Sequence, residues 1–190
     1  MSRHRSASIL ALAALLSACA LQAPQPPREP LPPAPLVRSG GFADPTQQVV
    51  LGAAYVFGDP RRVAGRPADA ARAAAQLGWL TLALPQDPRW IPATATLFGE
   101  LRRAEAEMRQ TLGLSPDASV GTVTRALTAA ADALDQGDRA GALAALAPIA
   151  PGGAAGVLAK LGAMPPMPRA AVATQTAAQE SFRIMMGDPE

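Results

Sequence analysis

Histidine occurs once, at position 4, and cysteine once, at position 19. Beyond residue 19 the chain has neither imidazole nor thiol, which removes Ser-His-Asp and Cys-His nucleophilic catalysis and zinc sites built from those ligands. A single cysteine also leaves no intramolecular disulfide. Lysine is as scarce: Lys160 stands alone, with no serine three residues before it to form a Ser-Lys dyad. A phosphate-cradling loop is missing too, because Gly152-Gly153-Ala154-Ala155-Gly156 is not followed by Lys-Ser or Lys-Thr and reads as a loosened helix start. No window alternates apolar and polar residues with β-branched enrichment, so strands are not expected. Cofactors are therefore expected to be none, and the chain is not expected to be an enzyme.

What is present begins with an address. Met1 to Ser8 carry Arg3, His4 and Arg5 without an acid, and Ile9 to Leu16 are all Ile, Leu or Ala. A basic flank before a short apolar run is an export signal. The run reaches Leu21 at most before Gln22 and a string of prolines, short of the about 20 residues a permanent span needs. It closes on Leu16-Ser17-Ala18-Cys19, which resembles the lipobox of bacterial lipoproteins at all four positions. That resemblance covers the signal region alone. It implies cleavage before Cys19, lipid on the Cys19 thiol and attachment to a membrane through it; two or more acyl chains would make the attachment persistent. Ala20 stands where an aspartate would retain such a protein at the inner membrane, so the resemblance implies the outer membrane, facing the periplasm.

The expected organisation is a lipoprotein signal peptide over 1–18, a lipidated cysteine and proline-rich disordered tether over 19–39, and an alanine-rich helical domain over 40–190. Loss of Arg3 and Arg5 takes the 17 Lys and Arg to 15, against 15 Asp and Glu, so the precursor's charge of +2 vanishes and no nucleic-acid partner is implied. Seven prolines between Pro24 and Pro35 favour extended polyproline II, and roughly 18 such residues span about 50 Å.

From about Gly40 the pattern is helical. Asp44-Pro45-Thr46-Gln47 offers an N-cap, a first-turn proline and a third-position glutamine. Pro67 opens an alanine-rich helix that Pro85 stops. The clearest helix runs from about Pro92 to Leu112, with Leu97, Leu101, Ala104, Met108 and Leu112 on one stripe and an i,i+4 pair, Glu105 and Arg109. Ser115-Pro116-Asp117 is expected to start the next, which ends at Gly137. A shorter helix follows from Asp138 to Leu146, and two further pieces from about Ala154 to Leu161 and Arg169 to Met186. The fold class is all-α, a small bundle or stacked hairpins of about six to seven helices. Ala133-Leu134-Asp135-Gln136-Gly137-Asp138-Arg139-Ala140-Gly141-Ala142-Leu143 resembles the helix–turn–helix corner of a tetratricopeptide unit. There is no second copy about 34 residues away and the family's large aromatic positions are absent, so a generic antiparallel hairpin is expected.

Three constellations are chemical candidates. Glu100, Glu105 and Glu107 supply the carboxylates glycoside hydrolysis needs, although arginines surround them and a solvated polar face explains them more simply. Met164, Met167, Met185 and Met186 offer thioethers for Cu(I), against ordinary gap filling in a core. Asp87-Pro88-Arg89-Trp90-Ile91-Pro92 sets an aromatic beside an arginine in a proline-bounded loop, a hot-spot composition that a tryptophan tucked onto the core also explains. The preferred reading is a non-catalytic helical envelope lipoprotein that acts by contact with a protein partner in the envelope. The alternatives are a small-ligand or lipid carrier with a pocket between helices, and a carboxylate enzyme acting on cell-wall glycan.

Overall fold

Asp44 accepts the N–H of Thr46 at 2.8 Å and Pro45 fills the first helical position, so α1 (Pro45–Gly58) begins where the capping pattern predicts. Gln47 does not close a capping box; its amide donates to the Met185 sulfur instead, at 3.2 Å. The remaining helices are α2 (Pro67–Ala83), α3 (Ala95–Leu112), α4 (Val120–Asp135), α5 (Arg139–Leu146), α6 (Ala154–Gly162) and α7 (Pro168–Met186). Short 3-10 turns at Pro60–Val63, Leu84–Gln86, Pro88–Trp90 and Ala147–Ile149 join them. The computed structural model describes residues 29–36, 44–90 and 95–187; among these there are seven α-helices and no strand, and the chain is all-α.

Helix α4 starts later than the sequence suggests. Ser119, not Ser115, is its N-cap, accepting the N–H of Thr122 at 3.2 Å. The cause lies in α3: the Arg109 guanidinium takes the carbonyls of Ser115 at 2.9 Å and Ala118 at 2.6 Å, which holds 115–118 in a bend. The end of α4 follows expectation. Gly137 adopts φ +73°, its N–H donates to Leu134 O and that of Asp138 to Ala133 O, and the Asp138 carboxylate then caps α5 through Gly141 N–H at 2.8 Å. This pair of bonds is the glycine-ended stop that satisfies the last helical carbonyls.

The centre of the molecule is α2, in which every residue from Ala70 to Leu80 is buried. A helix buried all round must be covered on all sides. Helix α4 lies antiparallel along it: Gly78 faces Thr124, while Arg72, only 4% exposed, reaches Asp135 at 2.7 Å and Asp132 at 3.2 Å. The glycine permits the approach, since a Cβ there would sit 2.6 Å from Thr124 Oγ1. Helices α1, α3 and α6 also pack on α2, and α7 covers α1 and α3, with Gln175 donating to Ala54 O at 3.0 Å.

Residues 29–36 complete the cover, and here the structure corrects the sequence reading. The composition of 19–39 predicts a disordered tether, yet 29–36 lie against α2 with Pro32 and Pro35 buried and Ala34 packed on the core. The reason is that α2 presents polar donors, not just apolar surface, to the chain's own extended carbonyls.

Candidate functional site

The docked segment, here the strap, is held at three points. The Trp79 indole N–H donates to Pro32 O at 3.0 Å and the Gln76 amide to Pro35 O at 3.1 Å, both buried. At the other end the Glu29 carboxylate accepts from Gly121 N–H at 3.0 Å and from the Ser119 hydroxyl, an anion at the start of α4 where the helix dipole favours it. Glu29, Pro32 and Pro35 are three residues apart, and the intervening Pro30, Leu31 and Pro33 are exposed. Polyproline II has three residues per turn, so one face of such a helix would carry all three contacts. The sequence reading passed over Glu29, Gln76 and Trp79; the available signal was the spacing Glu29-x-x-Pro32-x-x-Pro35, visible only once prolines are read by period and not merely by abundance.

Cys19 lies outside the described residues. The carboxylates of α3 are each engaged. Glu105 was placed on a polar face but is buried against Arg109, because Arg109 is drawn inward by the 115–118 carbonyls. Glu100 pairs with Arg103, and Glu107 accepts the N–H of Ala170 at 2.9 Å in the first turn of α7. Lys160 donates to Thr111 O at 2.9 Å near the end of α3.

The methionines do not converge. Met164 and Met167 are buried before α7, whereas Met185 and Met186 are exposed at its far end. Eighteen residues of helix separate Met167 from Met185, about 27 Å of rise, so the four cannot share one ion. Core packing accounts for the first two and not for the last two. Among the described residues, no three His, Cys, Asp or Glu side chains gather to hold a metal.

Trp90 is buried on the core, as the plainer reading of its loop requires. Beside it, Arg89 bridges Asp87, at 2.7 Å, and Asp44, tying the loop to the N-cap of α1. The hydrogen bond from Arg89 holds both carboxyls below their ordinary range, and the two acids in turn raise the arginine. The cleft that Asp44, Arg89 and Trp90 line, with Gln47, Ser181 and Met185, is about 220 Å³. No single helix among the described residues is long and apolar enough to cross a membrane.

No family model matches the chain, and neither a curated protein nor a solved structure matches it.

Proposed function

We propose that this chain is a lipid-anchored helical lipoprotein of the cell envelope, held in the outer membrane through Cys19 and working by contact with a protein partner, not by catalysis. The observation that carries the reading is the run Leu16-Ser17-Ala18-Cys19 at the end of an export signal, in a chain with no other cysteine. Two features of the domain support the second half. Its α3 carboxylates are committed to arginines or to a helix N-terminus, which leaves no acid and base poised across a cleft there. Helices α1 and α7 carry Tyr55, Phe182, Met185 and Met186 exposed, the side-chain types that contact surfaces favour.

Mass spectrometry of the protein extracted from membranes tests the anchor: an N-terminal Cys19 bearing acyl chains is expected, and Cys19→Ser should yield an unprocessed or soluble form. A mature N-terminus at any other residue contradicts it. Crosslinking in intact envelopes tests the contact. A specific adduct formed from a photo-crosslinker at Phe182 and lost from one at Arg139, exposed on α5, is expected; equal, diffuse labelling from both positions would contradict it.

A further inference from the structure

We propose that the surface made by α2, the first turn of α4 and the adjoining part of α1 is a binding site for extended peptides of the pattern Glu-x-x-Pro-x-x-Pro, with residues 29–36 as its occupant in cis. The site does not depend on the anchor or on the α1–α7 face.

Its chemistry is that of a reader of extended proline-rich segments. An extended proline-rich segment offers carbonyls to a partner, as Pro32 O and Pro35 O do here, and the fixed φ of its prolines means little conformational entropy is lost on docking. Aromatic-lined grooves recognise such segments on that basis. Here the Trp79 indole N–H donates to Pro32 O and the Gln76 amide to Pro35 O, two buried donors for the carbonyls of two prolines. Selectivity for an acid three residues earlier comes from Gly121 N–H and Ser119 at the start of α4.

The receptor side is shaped for these contacts by glycine at two places. A Cβ on Gly121 would lie 2.5 Å from Glu29 Oε1, and one on Gly52 of α1 would lie 2.7 Å from Gln76 Oε1, the amide that reaches Pro35. Gly52 lies inside α1, where alanine is worth about 1 kcal/mol more than glycine in propensity, and Gly121 lies in the first turn of α4, so the missing side chains need a reason. Admitting the bound carboxylate and the amide that reads the second proline supplies one.

The strap is also attached as a ligand would be. Among the described residues, it makes no backbone–backbone hydrogen bond to the helices; the one it makes is internal, from Leu36 N–H to Ala34 O at 2.9 Å. It can therefore leave without breaking a helix or a sheet, and water can then satisfy Trp79 and Gln76. A peptide of the same pattern on another molecule competes for the vacated groove. Covalent connection gives the strap an effective concentration on the order of millimolar, so an external peptide gains the site when the strap is weakened.

The test uses the full chain carrying Glu29→Gln, Pro32→Gly and Pro35→Gly, titrated with a synthetic peptide of residues 28–37 by calorimetry and by the Trp79 indole N–H resonance. Saturable binding that shifts that resonance is expected, weakened about ten-fold when the peptide carries Glu29→Gln or the chain carries Gly121→Ala, as for loss of a charge-assisted hydrogen bond. A variant that keeps its helical circular dichroism yet does not bind overturns the proposal. Should the variant not fold, hydrogen exchange on the unaltered chain decides. The Trp79 indole N–H should exchange through local opening, at least about a hundred-fold faster than the slowest amides of α2 and α4. Exchange as slow as theirs would mean the strap departs only with global unfolding, and would overturn the site.

Discussion

Thr124 carries a hydroxyl that is buried without a hydrogen-bond partner at the point where α4 meets Gly78 of α2. Unfolding returns that hydroxyl to water, so the folded state bears its desolvation. Thr124→Val keeps the shape and removes the orphan, and the variant should be more stable by about 1 kcal/mol, read as a higher urea midpoint with unchanged slope. A lower midpoint would mean that the hydroxyl finds a partner in solution. Gly78→Ala at the same contact should do the reverse. The new Cβ meets Thr124 Oγ1 at 2.6 Å inside a closed interface, and overpacking of this kind costs about 1–3 kcal/mol, more than the helix propensity gained. Arg72 poses a different balance, because the arginine is buried while Asp132 and Asp135 remain partly exposed. Removing both acids with Asp132→Ala and Asp135→Ala strands a buried cation, at a cost of roughly 2–4 kcal/mol, whereas Arg72→Met leaves two carboxylates that water can reach and should cost less. Thermal melts of the two variants should rank in that order; the opposite order would contradict the burial argument.

Among the elements, what was legible in the sequence was whatever depends on near neighbours. Pro45 with Asp44, Pro67, Gly137 with Asp138, and the Leu97-to-Leu112 stripe each state a local preference that the packed fold keeps. What escaped depends on distant partners. The start of α4 moves from Ser115 to Ser119 because Arg109 claims the carbonyls between them, and Glu105 is drawn inside with it. The strap escapes for the same reason: prolines state that a segment is extended but not what it lies on, and the nearest donors that hold it are 41 and 47 residues away. The Trp90 loop is likewise tied to α1 by an arginine shared between Asp87 and Asp44. Both carboxyls are depressed below their ordinary 3.8 in the folded state. Their contribution is thus fully present above that value and is lost as the pH falls through it toward the folded-state values. Comparing melting temperatures of the wild type and Arg89→Met from about pH 6 to pH 3, the wild type's advantage should shrink below about pH 4. Because Arg89 is half-exposed the advantage is small, below about 1 kcal/mol. An advantage that held steady to pH 3 would show that the arginine acts through packing alone.

At the scale of the whole molecule, the strap and the proposed anchor would define one geometry. Ten residue steps separate Cys19 from Glu29, where the strap meets the first turn of α4, and a fully extended chain of that length spans at most about 36 Å. With a free tether the first fixed point would be Asp44, 25 steps from the anchor and up to about 78 Å away in polyproline II. If Cys19 carries lipid as proposed, docking would hold the domain near the bilayer with the start of α4 turned toward it, and release of the strap would let it move outward. Neutron reflectometry on the lipidated protein attached to a supported bilayer measures this gap directly. A protein layer beginning within about 36 Å of the headgroups is the predicted result. A layer beginning beyond about 50 Å, or no bound layer at all, would contradict a strapped, lipid-anchored domain.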